Sequence, residues 1–226
     1  MISLELGVAG VVWTGRAEGH LSHRTPHDES CCGLDAVARR GSVRGGSWFS
    51  LAQMHGGDVV TVEERSVPQV QGDGAVTTEL GRTLAVATAD CAPIALASDE
   101  GVVGAVHGGW RSLRAGIIGN AAEAMQRLGA TRIVAALGPC VHVGCYEFDG
   151  AALVELAELW GDGVVGHTTW GTPALDIEGA VTVECRRAQI EVAHVDSACT
   201  ACDPAYFSYR GSGDADRQVM LVRRER

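Results

Sequence analysis

The sequence predicts an α+β domain in which a mixed sheet packs against helices. Strand-like segments and helical segments both occur, and they do not alternate strictly as they do in a doubly wound sheet. Of the 226 residues, 46% are hydrophobic and 20% are charged, a composition typical of a globular protein with a sizeable core. We therefore expect one layered domain over residues 1–226, with an irregular segment near 19–47.

Segments rich in β-branched residues predict the strands. An N-terminal strand is followed by strands at 58–63, 83–88, 93–97, 102–106, 132–137 and 218–223. Between 102–106 and 132–137, helical periodicity predicts one long helix over 111–128, ended by Gly129. Its apolar face carries Leu113, Ile117, Ala121, Ala124 and Leu128. Further helices are predicted over 151–160 and 178–189, and a short one over 34–40.

The charge balance excludes several classes of function. All 18 basic residues are arginine, and 28 acidic residues leave a net charge of −10. Without lysine the chain has no Schiff-base residue, no lysine anchor for pyridoxal phosphate and no Walker lysine. The acidic balance argues against a sequence-independent nucleic-acid binder, which needs a basic surface.

The cysteines indicate a reducing compartment. The N-terminal residues lack the basic region of a signal peptide, and no stretch approaches the roughly 18 apolar residues of a membrane span. We expect a cytoplasmic protein, in which the eight cysteines stay reduced and groups of cysteine and histidine indicate metal binding or catalysis. Cys199 and Cys202 form a C-x-x-C pair, but a second, structural zinc site completed by Cys140 and Cys145 is not expected from the spacing.

Three short segments place metal-binding side chains where strands are predicted to end. They carry His55, Cys91 and His107. Two imidazoles and one thiolate suit a zinc site with an open fourth position, at which the pKa of bound water falls towards neutrality. The same donors suit copper. Each residue alone is more often a hydrogen-bonded core histidine or an inert buried cysteine, but together they predict a metal centre.

Two flanking segments carry candidate substrate-binding residues. After His107, Gly108 and Gly109 let the backbone approach a ligand, and Arg111 is close in sequence. This turn either holds an oxyanion or is an ordinary glycine turn. The aromatic cluster at 206–210 ends in Tyr209 and Arg210. It either stacks on a planar ring or closes the core, and core closure is the expectation for Phe207.

Five collinear motifs resemble one known family. They are QMHGGDVV, TADCAPIAL, VGAVHGGWRSLRAGII, LGPCVHVGCYEF and CTACDPAYFSYR, spread over residues 50–222. They resemble the signatures of the multicopper polyphenol oxidase "laccase domain" family, also called YfiH-like. The segment ending in Arg16 is similar to an early T-x-R turn of that family, although the Ser-Leu-Asn-Leu segment that usually follows is not recognisable here.

The resemblance implies a fold, a metal and several activities. The fold would be a layered α+β architecture similar to the catalytic domain of cytotoxic necrotising factors. His55, Cys91 and His107 would hold zinc, with copper as the alternative. The activities attributed to such proteins are phosphorolysis of adenosine, inosine, guanosine and methylthioadenosine, adenosine deamination, copper-dependent phenol oxidation, and editing of cell-wall precursors.

The leading hypothesis is a zinc enzyme that acts on a purine nucleoside and phosphate. Cys91, His107 and Asp90 are its candidate catalytic residues; Arg16, Gly108, Arg111, Tyr209 and Arg210 are its candidate substrate-binding residues. Asp90 either moves a proton during deamination or orients a liganding histidine. The alternatives are a copper oxidase, a hydrolase with Cys91 as nucleophile and His107 as base, and a metal-binding partner protein without enzymatic activity.

Overall fold

The computed structural model describes residues 1–21, 43 and 47–226. The short helix predicted over 34–40 lies outside the described residues, as do Cys31 and Cys32 and most of the segment predicted to be irregular. The elements fall into two large sheets, a small two-stranded sheet and a layer of helices. This is the α+β architecture predicted from the sequence.

Five strands form the first sheet, in the order β1-β2-β13-β6-β3. They are β1 (Ile2–Leu6), β2 (Ala9–Trp13), β3 (Trp48–Ser50), β6 (Thr83–Thr88) and β13 (Gln218–Arg224). Strand β13 runs antiparallel to both of its neighbours, β2 and β6. The last of the described strands is therefore the central strand of this sheet.

Six strands form the second sheet, in the order β12-β9-β7-β8-β5-β4. They are β4 (Val59–Thr61), β5 (Gly74–Thr77), β7 (Ala92–Ser98), β8 (Val103–Gly108), β9 (Ile133–Leu137) and β12 (Glu191–Val195). Every residue of β7 and β8 is buried, because the first sheet covers one face and helices cover the other. The two remaining strands, β10 (Val165–His167) and β11 (Pro173–Leu175), pair with each other.

Helices cover the outer face of the six-stranded sheet. They are α1 (Trp110–Arg114), α2 (Ile117–Arg127), α3 (Gly150–Trp160) and α4 (Ile177–Arg187), while the short α5 (Tyr209–Ser212) lies near the end of the chain. Helix α2 packs the fully buried Ile117, Ile118 and Met125 against the sheet. Burying each such side chain contributes roughly 1.5–3 kcal/mol to stability. A second core, with Phe49, Val103 and Met220 among its members, joins the two sheets.

The long helix predicted over 111–128 is interrupted. Helix α1 ends at Arg114 and α2 begins at Ile117, because Gly116 between them has a left-handed φ of 77°. The predicted apolar face survives the break, since Leu113, Ile117, Ala121 and Ala124 are buried. Gly116 therefore turns the chain between two helices that still bury a common face.

The predicted strands fall on observed strands, with ends that differ by up to two residues. Strand β6 spans the residues predicted, and β13 extends the prediction by one residue to Arg224. Five short strands of three to five residues each were not predicted: β3, β5, β10, β11 and β12. In the described part of the chain, no helix combines the length and apolar character needed to span a membrane.

Candidate metal centre and cavity

Three metal-binding side chains that are far apart in sequence meet at one point. One nitrogen of His55, one nitrogen of His107 and the sulfur of Cys91 all lie within 4.8 Å of one another. The Cys91 Sγ–His55 Nε2 distance is 3.9 Å, and the two imidazole rings cross at 76° with centroids 4.7 Å apart. His107 is buried, whereas His55 is exposed. The cluster is therefore closed on the side of His107 and open to solvent on the side of His55.

Asp73 shapes the loop that carries His55. Its carboxylate accepts hydrogen bonds from the backbone N–H groups of Met54, His55 and Gly56, at 3.0, 2.9 and 2.7 Å. The loop turns sharply here, because His55 itself has a left-handed φ of 58°. A single buried carboxylate thus holds the backbone of the exposed ligand in an otherwise unfavourable conformation.

The same carboxylate also orients His107. The Nδ1 of His107 lies 2.7 Å from Oδ1 of Asp73, and both side chains are buried. With Nδ1 held by the carboxylate, Nε2 is the nitrogen of His107 left to bind a metal. Sequence reasoning missed Asp73. Its signal was an acidic residue between Gly72 and Gly74 at the start of a strand that otherwise carries small apolar residues.

The site favours a charged pair between Cys91 and His107. Burial opposes ionisation of the Cys91 thiol, but the charge of His107 and hydrogen bonds to both histidines lower its pKa to about 6. Burial also disfavours a charged His107, but the Cys91 thiolate and Asp73 raise the pKa of that imidazole to about 9. Cys91 is therefore a thiolate at neutral pH, the form that binds metal.

The two glycines after His107 have different roles. A Cβ on Gly108 would lie 2.9 Å from the carbonyl oxygen of Ala92, so this glycine permits close packing of β8 on β7. A Cβ on Gly109 would lie 2.8 Å from Cδ2 of His55 and 3.4 Å from the Cys91 sulfur. The pair was predicted to let the backbone approach a ligand. Of the two, Gly109 is the one that lies next to the metal-binding side chains.

A cavity of about 540 Å³ opens above the three side chains. It contains three of the predicted substrate-binding residues, Arg111, Tyr209 and Arg210. The other residues of its wall are Leu51, Ala52, Gln53, Met54, Gln69, Ala87, Thr88, Ala89, Asp90, Trp110, Tyr146 and Arg217. Neither Arg16 nor Gly108 is among the cavity residues.

Aromatic rings hold two of the three arginines on the cavity wall. The guanidinium of Arg111 lies 4.3 Å from the ring centroid of Trp110, and that of Arg210 lies 4.9 Å from the ring of Tyr146. Arg210 also donates a hydrogen bond of 2.8 Å to the carbonyl oxygen of Glu147. These contacts restrict two cations to the wall of a cavity whose base carries the cysteine and histidines.

Asp90 contacts the C-terminal part of the cavity wall. Its carboxylate accepts hydrogen bonds from the Thr200 hydroxyl at 2.8 Å, the Ser208 hydroxyl at 2.6 Å and the Arg210 backbone N–H at 2.7 Å. It was predicted either to move a proton or to orient a histidine. The carboxylate that bonds to His107 is that of Asp73, and Asp90 instead joins the loop of Cys91 to the segment that carries Arg210.

Arg16 supports the same segment from outside the cavity. It forms an ion pair with Asp214 and donates a hydrogen bond of 3.2 Å to the Ser212 hydroxyl. Its guanidinium also lies 4.7 Å from the ring of Phe207, which is buried as expected. These contacts therefore do not indicate that Arg16 touches the substrate directly.

Curated relatives cover most of this chain. It is 40% identical over 180 residues to "Purine nucleoside phosphorylase ORF3" of Streptomyces griseus, covering 76% of this chain and 72% of the relative. It is 41% identical over 179 residues to "Purine nucleoside phosphorylase SCO2081" of Streptomyces coelicolor, covering 76% and 73%. A Mycobacterium tuberculosis relative, "Purine nucleoside phosphorylase Rv2149c", is 36% identical over 176 residues, covering 76% and 70%.

Solved structures share the fold. YlmD from Geobacillus stearothermophilus superposes with a TM-score of 0.77 at 26% identity, covering 96% of this chain and 92% of that one. Protein NMB0706 of Neisseria meningitidis gives a TM-score of 0.81 at 22% identity, covering 100% and 99%. The family model described as "Multi-copper polyphenol oxidoreductase laccase" matches residues 34–225. The chain therefore belongs to the multi-copper polyphenol oxidoreductase laccase family, the one that its motifs resemble.

Proposed function

We propose that this protein is a purine nucleoside phosphorylase with a zinc ion held by His55, Cys91 and His107. The observation that carries the proposal is the convergence of these three side chains at the base of a cavity whose wall includes Arg111 and Arg210. The names of relatives at about 40% identity agree with a purine nucleoside and phosphate as substrates. Adenosine, inosine, guanosine and methylthioadenosine are the candidate nucleosides.

The three side chains fit a zinc ion in number and type, and the thiolate form of Cys91 is ready to bind; His107, whose pKa is raised to about 9, would release a proton on binding the metal. A thiolate and two imidazoles are ligands that zinc prefers, and a fourth position facing the cavity is left for substrate. Their atoms lie within 4.8 Å of one another, a spacing that ligands on one ion require. A bound zinc ion would supply Lewis-acid stabilisation of negative charge on a reacting oxygen. Copper suits the same donors, so elemental analysis of the purified protein is needed to distinguish the two metals.

Arg111 and Arg210 are proposed to hold phosphate. Both guanidinium groups carry a permanent positive charge, and their planar donors match the oxygen atoms of phosphate. In phosphorolysis a phosphate oxygen forms a bond to the anomeric carbon while the bond from that carbon to the purine nitrogen breaks. The purine leaves with the electron pair and takes up a proton. Two guanidinium groups that are already fixed beside the phosphate would hold it in position for attack, and they would not have to move during the reaction.

The exposed wall of the cavity offers a place for the purine. Tyr209 is 64% exposed and Tyr146 lies beneath Arg210, so a planar base can lie against aromatic surface. Asp90 is proposed as a positioning residue, since its carboxylate already accepts three hydrogen bonds from the chain. We place the enzyme in the cytoplasm, because the described cysteines are free thiols.

A cysteine hydrolase is the second candidate, and one observation favours it. The pKa of Cys91, lowered to about 6 by its histidine neighbours, would make the sulfur a nucleophile in protein that lacks metal. Such an enzyme would cleave an amide, as in a cell-wall precursor. It differs from the phosphorylase in requiring no metal and no phosphate.

Product analysis with and without phosphate tests the proposal. Protein of measured metal content is incubated with adenosine, and adenine, ribose 1-phosphate and inosine are quantified by chromatography. We expect adenine and ribose 1-phosphate only when phosphate is present, and inosine if the site also deaminates adenosine. His55→Asn should lose zinc and phosphorolysis together, since asparagine tolerates the left-handed backbone at this position. Phosphorolysis that persists in that variant, or its absence from zinc-loaded wild type, would overturn the assignment.

A further inference from the structure

A second group of sulfur atoms lies apart from the proposed zinc site. The sulfurs of Cys145, Cys199 and Cys202 lie within 4.8 Å of one another, although Cys145 is more than fifty positions from the other two. Cys145 and Cys199 are partly buried and Cys202 is exposed. Three thiols thus face a common point that solvent can reach, which is the arrangement found in thiolate metal sites.

We propose that these three cysteines form a second metal site for a thiophilic d¹⁰ cation, Zn²⁺ being the ion used as probe. Soft thiolate ligands select zinc and monovalent copper over hard cations. The three sulfurs would supply three ligands, and water at the exposed side would complete a tetrahedron around zinc. The site would be structural, and it is independent of the activity proposed above. It reverses the expectation from the spacing, because the fold brings Cys145 to Cys199 and Cys202.

The backbone brings the sulfurs together without help from an ion. Cys140 and Cys199 form a parallel bridge, and the N–H of Thr200 donates a 3.0 Å hydrogen bond to the carbonyl oxygen of Cys140. After this bridge, Cys145 ends a short 3-10 helix. On the other segment, the N–H groups of Cys202 and Asp203 both donate to the carbonyl oxygen of Cys199. This turn sets Cys199 and Cys202 side by side, facing Cys145.

One contact of the sulfur atoms suits a thiolate ligand, and one distance between them would change when an ion binds. The backbone N–H of His142 donates to the Cys199 sulfur at 3.3 Å, as N–H groups do to ligating thiolates. The Cys145 and Cys202 sulfurs are 2.9 Å apart. With metal–sulfur bonds of about 2.3 Å, tetrahedral ligands lie roughly 3.8 Å apart, so this pair would open by about 1 Å around the ion.

The position of the cluster indicates what an ion bound there would stabilise. Cys145 directly precedes Tyr146, which lines the cavity. Thr200, next to Cys199, donates its hydroxyl hydrogen bond to Asp90, the neighbour of Cys91. An ion shared by the three sulfurs would therefore join the segment of Tyr146, which lines the cavity, to the segment of Thr200, which supports the cavity residue Asp90.

Metal content of the full chain tests this proposal. Protein purified under reducing conditions, reloaded with zinc and freed of excess metal should hold one ion at each of the two sites. Cys145→Ala and Cys202→Ala should each lose one zinc ion, whereas Cys185→Ala, which removes a buried thiol of α4, should lose none. Because Cys202 is exposed, its substitution does not open a cavity in the core, and circular dichroism would verify that this variant folds.

Cobalt substitution gives a second readout that does not depend on activity. In the His55→Asn background, Co²⁺ should still produce the thiolate-to-cobalt charge-transfer absorption, and adding Cys202→Ala should remove most of it. Equal zinc content in wild type and Cys202→Ala would overturn the proposal. So would alkylation at lysis that finds Cys145 and Cys202 joined as a disulfide. Either result would leave the phosphorylase proposal untouched, and absence of phosphorolysis would leave this one untouched.

Discussion

Asp73 and His107 form a buried hydrogen bond of 2.7 Å, directly beneath the proposed metal centre. We predict that Asp73→Asn weakens zinc binding by roughly 10–100-fold, the usual effect of losing a carboxylate partner of a liganding histidine. The loop of His55 also loses a charged acceptor. Chelator competition at fixed pH would measure the affinity.

The control for that change is Asp58→Asn, which neutralises an exposed carboxylate in the same part of the chain. It should leave zinc affinity unaltered. Equal affinities in the wild type and Asp73→Asn would show that His107 keeps its orientation without the carboxylate.

Gly109 sets the space available to the liganding side chains. Its backbone angles are compatible with alanine, with φ −71° and ψ 152°, but the new methyl group would lie 2.8 Å from the His55 ring. We predict that Gly109→Ala displaces His55 and lowers zinc affinity and kcat together. Gly119→Ala is the control, because no atom lies within 4 Å of its added Cβ. That helix substitution should stabilise the fold by about 0.5–1 kcal/mol; normal zinc binding by Gly109→Ala would refute the steric argument.

Arg111 is predicted to bind the phosphate oxygen atoms. Removing a hydrogen bond to a charged group costs about 1.5–3 kcal/mol, so Arg111→Gln should raise KM for phosphate by roughly 10–100-fold. The KM for the nucleoside should change much less. Arg114→Gln, which removes a cation that pairs with Glu155, should keep the KM for phosphate of the wild type. Equal phosphate KM values for the two variants would exclude this role of Arg111.

Asp90 is predicted to act through structure rather than through proton transfer. Asp90→Asn turns one acceptor oxygen into a donor that faces N–H and O–H groups, and we expect it to lower the free energy of unfolding by roughly 1–3 kcal/mol. The KM values should rise because the segment of Arg210 loosens, while the shape of the pH–rate profile should stay unchanged. Loss of one limb of that profile would instead identify Asp90 as a proton donor or acceptor.

The contribution of Asp214 to the stability of the fold should depend on pH. Burial slightly opposes its ionisation, but hydrogen bonds from Ser212, Ser208 and Arg16 lower the pKa of this carboxyl to about 2. Because the folded value lies below the unfolded value near 4, its contribution to stability is complete above pH 4 and is lost as the pH falls through 2.

The corresponding variant is Asp214→Asn. The free energy of unfolding measured in urea should differ between wild type and variant by a constant amount above pH 5, and by progressively less below pH 4. Asp162→Asn changes an exposed carboxylate. Its difference from the wild type in free energy of unfolding should not decrease at low pH. A difference that stays constant down to pH 2 would mean that the Arg16–Asp214 ion pair contributes nothing.

Local patterns predicted the fold well where each strand carries its own signal. Residues 83–88 and 218–223 are rich in β-branched and apolar side chains, and both became strands of the first sheet. The break before Ile117 could not be predicted in this way, because side-chain periodicity continues across Gly116 and only the backbone angle changes.

The metal-binding residues of the site could be predicted from their types, but the hydrogen bonds that orient them could not. His55, Cys91 and His107 were found from their chemistry and their positions at the ends of strands. The role of Asp73 depends on the antiparallel register of β5 and β8, in which Gly74 pairs with Val106 and Asp73 therefore lies beside His107. Such a pairing between distant segments has no local signature in one sequence.

The central place of β13 in its sheet has a consequence for synthesis on the ribosome. Strands β2 and β6 emerge early, but each lacks its neighbour on one side until residues 218–224 leave the exit tunnel. Strand β6 leads directly into the loop of Cys91, so we expect the metal-binding pocket to become rigid only after β13 has paired. Until then the nascent polypeptide presents unpaired strand edges, and we expect it to need protection by chaperones.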